Sequence, residues 1–106
     1  MNVKIWLDDI RRPPDEGWLW CRSVDEAISA IVFFEDELIC YPSRLEIISL
    51  DHDLGDYAPF GGDGIKLMDW LAERNTLYPV RFHTRNPVGM ENMQRMYRRY
   101  WLGMSR

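Results

Sequence analysis

The sequence predicts a single α/β domain built on a small parallel sheet of about four strands flanked by helices. Three observations predict it. Short runs of β-branched and aromatic residues recur along the chain, stretches of helical periodicity stand between most of them, and several runs stop abruptly on ionisable residues. At 106 residues there is room for one hydrophobic core and not for two, so residues 1–106 are read as one domain.

The run from Asn2 to Leu7 is the first strand, and it ends on Asp8-Asp9. Ile10 to Gly17 carries Arg11, Arg12 and the paired prolines Pro13 and Pro14, which exclude a helix, so a loop leads to a second strand over Trp18 to Arg22. Ser23 to Glu26 is a capping box, in which the hydroxyl accepts from the Glu26 amide while the glutamate reaches back. Behind it Val24, Ala27, Ile28, Ile31, Phe34 and Leu38 recur at helical spacing, which places a helix from about Val24 to about Glu37. Tyr41-Pro42-Ser43 connects it to Ile47–Leu50, a short apolar run read as a buried strand that stops on Asp51-His52-Asp53 before Leu54 and Gly55. Asp56 to Asp63 is a loop rich in breakers. Its Gly61-Gly62 pair lacks the spacing and the lysine of a phosphate loop, so a close turn or mobility is its expected use. A helix from about Gly64 to Arg74 points Ile65, Met68, Leu71 and Ala72 inward. Pro79 to Phe82 is the fourth strand and exits into His83-Thr84-Arg85-Asn86. Asn86 or Pro87 starts a last helix, whose stripe of Met90, Met93, Met96, Tyr97 and Tyr100 is read as core packing.

Composition excludes several classes. Hydrophobic residues make up 46% of the chain, too many for a disordered one. No apolar run approaches the roughly 20 residues of a membrane span, and the N-terminus lacks the pattern of a signal peptide, so the expected setting is cytoplasmic. Cys21 and Cys40 stand alone, without metal-site spacing, and read as small buried residues. The net charge of −4 hides an asymmetry: residues 1–73 carry 6 basic against 16 acidic side chains, whereas residues 74–106 carry 7 arginines against Glu91 alone. An acidic, metal-holding part beside a basic part able to approach phosphate would produce that split, as would a solvated arginine-rich helix face.

In a parallel sheet the carboxyl ends of the strands lie along one edge, and ligands bind in the crevice there. Asp8-Asp9, Asp51-His52-Asp53 and His83-Thr84 are therefore expected to converge. Crowded carboxylates repel one another unless they share protons or hold a cation, and Asp8, Asp9 and Asp51 offer the oxygen ligands that Mg²⁺ or another divalent cation prefers. His52 and His83 are the two histidines of the chain, and imidazoles flanking a phosphodiester would serve as general base and general acid. Arg11 can hold phosphate bidentately, and Thr84, Asn86 and Asp53 complete the expected substrate contacts, although Asn86 and Asp53 are equally at home as caps.

Leu7-Asp8-Asp9 with Arg11 and Pro13, Leu50-Asp51-His52-Asp53-Leu54-Gly55, and His83-Thr84-Arg85-Asn86-Pro87-Val88-Gly89 with Asn92-Met93 resemble the cyclic-phosphate processing receiver-like domains, shortened relatives of response-regulator receivers. The resemblance implies a receiver-like, flavodoxin-like fold that is truncated and lacks the fifth strand. It implies Asp8, Asp9 and Asp51 at the metal and phosphoacceptor positions, Thr84 at the hydroxyl position, and His52 and His83 as catalysts on a cyclic phosphate of a nucleotide or RNA end. A switch lysine is missing, since the only lysines are Lys4 and Lys66, which argues against phosphorylation-driven signalling. The leading expectation is a metal-assisted cyclic phosphodiesterase with Asp51, His52 and His83 as catalytic residues. Its partners are a phosphate-containing small molecule or RNA end, with no membrane and no DNA sequence recognition; a homodimer is left open. One alternative is a haloacid-dehalogenase-type phosphatase with Asp51 as nucleophile and Asp53 as acid. Another is a degraded receiver that binds a partner or ligand without catalysis, contacting it through exposed Tyr97, Arg98, Arg99 and Trp101.

Overall fold

Alternation of side chains along the first strand divides the protein into two faces. In β1 (Asn2–Leu7) Val3, Ile5 and Leu7 turn to the hydrophobic core, while Lys4 and Trp6 turn to the opposite side. The computed structural model describes residues 2–36 and 44–103. The elements that follow are β2 (Trp18–Cys21), α1 (Val24–Glu35), β3 (Arg44–Leu50), a 3₁₀ turn (Gly55–Tyr57), α2 (Ile65–Arg74), β4 (Val80–Phe82), α3 (Pro87–Met96) and a π-helical turn (Tyr97–Trp101). The expected end of the first helix at Glu37, Leu38 in its stripe, Cys40 and the Tyr41–Ser43 connection lie outside the described residues.

The sheet order is β2-β1-β3-β4, and every neighbouring pair is parallel. Cys21, Leu7, Leu50 and Phe82 stand opposite one another across the four strands. The residues that follow continue the ladder: the Asp8 amide donates to the Cys21 carbonyl, Asp51 to Leu7 and His83 to Leu50, at 3.0, 2.9 and 2.9 Å. That register is why residues 30 to 75 positions apart arrive at one edge. β3 begins earlier than its apolar run, because Arg44 and Glu46 mask it: a bulge opposite Val3 and Lys4 pairs Leu45 and then Ile47, leaving Glu46 unmatched.

The three helices form one continuous layer, α1 against α2 and α2 against α3, over the core residues Ile5, Leu7, Ile48 and Leu50. Ser23 caps α1 as expected, but Glu26 reaches back to the Arg22 amide at 2.6 Å rather than to the amide of Ser23 itself. In α2 the buried residues are Leu67, Met68 and Leu71, with Ile65 packed beside them; Ala72 is half-buried. β1 and β2 are joined by the Asp8–Gly17 loop with no helix, and on this side tryptophans cover the sheet: Trp6 meets Trp18 edge to face, and Lys4 and Arg81 lie against the Trp18 ring. Cys21 is buried and burial pushes its thiol up to about 12, so it behaves as the small apolar residue the sequence suggested.

The last helix departs from its expected stripe. Met93 is buried, but after Met96 the turn widens, with the Leu102 amide donating to Tyr97 at 3.1 Å. Tyr97 and Trp101 then face the same way, stack at 6.0 Å and pack on the core, and the Trp101 indole donates to the Tyr78 carbonyl at 2.7 Å. Tyr100 is turned out instead, 44% exposed. The expected exposed surface of Tyr97, Arg98, Arg99 and Trp101 is thereby reduced to the two arginines with Tyr100. Among the described residues no helix is long and apolar enough to cross a membrane.

Candidate active site

Asp8 is the fixed point of the sheet edge. It is 2% exposed, and its carboxylate is fully engaged. Oδ1 accepts from the amides of Ile10 and Arg11 at 3.0 and 2.8 Å, which starts the helix-free loop, and Oδ2 lies 3.0 Å from His83 Nε2. The loop is fastened further by the Trp20 indole on the Asp8 carbonyl, the Trp6 indole on the Arg11 carbonyl, and Arg11 Nη1 on the His83 carbonyl at 3.0 Å.

His83 is held on three sides. Its ring stacks on Trp6 at 3.8 Å and 4°, and its Nδ1 lies 2.8 Å from the buried Ser49 hydroxyl. Burial lowers its pKa, against the opposing pull of Asp8, so the imidazole is neutral. With one proton to place, Nε2–H donates to the Asp8 carboxylate and the Ser49 hydroxyl donates to Nδ1, since the reverse tautomer would aim a lone pair at a carboxylate.

Asp8, Asp9 and Asp51 each offer a carboxylate oxygen, and the three oxygens lie within 4.8 Å of one another. Burial raises the Asp9 pKa, and the charges of Asp8 and Asp51 add to it: this is the crowding that a cation relieves. The donor set is all oxygen and fits Mg²⁺ or a similar hard divalent ion. Gly55 lets the chain close over it. It sits at φ +50°, and a Cβ there would stand 2.5 Å from Asp9 Oδ2.

A second group lies behind the first. His52 Nδ1 is 2.8 Å from Asp53 Oδ1, and Asn86 Nδ2 donates to both Asp53 oxygens at 3.2 and 3.1 Å. His52, Asp53 and Asp63 also bring ligand atoms within 4.8 Å, although Asp63 already accepts from the Leu54 amide. The His52 ring is seated on Gly89, where a Cβ would come within 2.4 Å of it. Asn86 does two jobs at once, because its Oδ1 caps α3 by accepting from the Gly89 amide at 3.0 Å. Thr84 accepts from the Asn86 amide at 3.2 Å.

Above these residues runs an open groove made of two adjoining pockets of about 490 and 410 Å³. Asp51, Asp53, Arg11 and Arg85 line both; Asp8 and Asp9 border the larger, Thr84 and Asn86 the smaller. The expected convergence of the three strand ends is therefore present, and so are the expected contacts Arg11, Asp53, Thr84 and Asn86. The two histidines do not meet over the groove: among the described residues neither lines it, His83 being tied to Asp8 and His52 to Asp53. Sequence reasoning missed three residues. Ser49 was visible only as the single polar residue in an apolar strand, Trp6 only as the outward member of β1, and Arg85 only as one arginine among seven in the basic half.

Compared with known families, residues 3–99 match the Cyclic-phosphate processing Receiver domain. No curated protein and no solved structure gives a significant match.

Proposed function

The chain belongs to the Cyclic-phosphate processing Receiver domain family, and on that premise we propose that it is a metal-assisted phosphoesterase that opens a cyclic phosphodiester of a nucleotide or RNA end. The observation that carries the reading is the convergence of Asp8, Asp9 and Asp51 beneath a groove flanked by Arg11 and Arg85. Asp8, Asp9 and Asp51 would hold the divalent cation, which supplies charge neutralisation at the phosphate oxygens. His83 keeps Asp8 in place rather than exchanging protons with substrate, since both of its ring nitrogens are occupied. Asp53 faces the groove with His52 directly behind it, so proton exchange is assigned to this pair. The proton lost by the attacking water passes to Asp53 and returns to the sugar oxygen released when the ring opens; His52 steadies the charge on Asp53 throughout. Thr84 and Asn86 form the groove wall, and Asn86 orients Asp53.

The test is hydrolysis of a short RNA ending in a 2′,3′-cyclic phosphate, with Mg²⁺ and with chelator. Wild type is expected to turn over only with metal, Asp51→Asn to be inactive, and His52→Ala to lose on the order of 10²-fold in kcat. No turnover by well-folded wild type would overturn the reading. Phosphate trapped covalently on Asp51 would move the assignment to the dehalogenase-type mechanism.

A further inference from the structure

The groove holds two guanidinium groups, and they are fixed differently. Arg11 is a strut: its Nη1 donates to the His83 carbonyl and its amide to Asp8, so it joins the exits of β1 and β4. Arg85 lines both pockets and makes no hydrogen bond or ion pair among the described residues, although Asp51 and Asp53 line the same pockets. Its donors are left for something that enters the groove.

Resting on the cyclic-phosphate reading, we infer that Arg85 is the residue that recognises the phosphate, and that it sets the preference for a phosphodiester monoanion. Asp8, Asp9, Asp51 and Asp53 present four carboxylates to the groove. A divalent cation and Arg11 together offset three of those charges, so an anion would still meet a surplus of negative charge. Arg85 removes the surplus, and its planar fork matches two phosphate oxygens. A cyclic diester carries one negative charge; the ring-opened monoester carries close to two at neutral pH. A groove balanced near zero by Arg85 accepts the first more readily than the second, which favours product release. Thr84 and Asn86 are poorer candidates for the same task, because Thr84 Oγ1 and both polar atoms of the Asn86 side chain are already engaged.

The test compares wild type, Arg85→Ala and Arg85→Lys by steady-state turnover of the cyclic-phosphate RNA and by calorimetric titration with Mg²⁺. Arg85→Ala is expected to raise KM on the order of 10- to 100-fold while kcat changes little, as the loss of a charge-assisted hydrogen-bond pair predicts. Arg85→Lys should fall between, keeping the charge without the fork. Mg²⁺ affinity should be unchanged or slightly tighter in Arg85→Ala, because a positive charge beside the ion is gone. An unchanged KM overturns the inference and leaves the phosphoesterase reading standing; a loss of Mg²⁺ affinity equal to the rise in KM makes Arg85 part of the metal site and also overturns it. If wild type does not turn over the RNA, calorimetry with adenosine 2′,3′-cyclic phosphate in Mg²⁺ decides. Binding lost in Arg85→Ala supports the recognition role without catalysis, and binding equal in both, or absent in both, overturns it.

Discussion

Ser49 is the residue on which the orientation of Asp8 depends, two contacts away. Its hydroxyl fixes the His83 tautomer, His83 Nε2–H holds Asp8 Oδ2, and the Trp6 ring keeps the imidazole flat between them. Removing the hydroxyl leaves a buried imidazole nitrogen without a donor, which costs about 1–3 kcal/mol. Ser49→Ala is accordingly expected to lower unfolding stability by that amount in urea melts. Combined with His83→Phe, which preserves the stack on Trp6, it should show a coupling of about 1 kcal/mol in a double-mutant cycle. Strictly additive losses would mean that the contact carries no energy. In the sequence Ser49 is an anomaly without a partner, because its partner lies 34 positions away and only the register of β3 with β4 brings the two together. The same limit applied to the histidines. Both were legible as strand-exit residues, but which carboxylate each would face depends on side-chain direction, and that follows from packing on Trp6 and on Gly89.

Helix α1 is tied to the end of α2 by a small polar network that the catalytic edge does not touch. Arg74 donates to both Glu35 oxygens, at 2.8 and 3.4 Å, the Tyr78 hydroxyl donates to the same carboxylate, and the guanidinium lies 4.2 Å over the Trp70 ring. Burial works to raise the Glu35 pKa, but the hydrogen bonds from Arg74 and Tyr78 outweigh it and hold the carboxyl below its ordinary value of 4.5. A carboxyl depressed on folding adds stability above its unfolded value and loses it as pH falls through the folded one. Burial and the bond to Glu35 push Tyr78 up to about 12, so the neutral phenol adds stability that fades between its ordinary value of 10 and about 12. Glu35→Gln should therefore cost about 1–2 kcal/mol at pH 7, and the difference from wild type should shrink below pH 4.5. Equal urea midpoints at pH 7 would refute the network. At this scale most elements were legible, since Ser23, Asn86 with Pro87, and the apolar periodicities are local signals. What escaped was set by long-range pairing: the start of β3 under Arg44 and Glu46, and the π turn that exchanges Trp101 for Tyr100.

Across the whole molecule, the charge split along the sequence becomes a juxtaposition in space. β4 and the start of α3, which bring Arg85, belong to the basic third of the chain, while β1 and β3 deliver the carboxylates, and the parallel register sets the two side by side. Such an edge is built at the expense of stability, because Asp8, Asp9 and Asp51 repel one another until a cation enters. Neutralising one carboxylate should then have opposite effects in the two states. Without metal, Asp9→Asn relieves repulsion and is expected to melt higher than wild type in chelator. With Mg²⁺ the order should reverse: a ligand that binds only the folded state at 100 times its Kd adds about 2.7 kcal/mol, and the variant lacks the site to receive it. Thermal melts of both proteins in chelator and in a Mg²⁺ series decide the matter. A crossing of the two curves identifies the cluster as a cation site that strains the unliganded fold, whereas a wild-type midpoint indifferent to Mg²⁺ would leave the three carboxylates without that role.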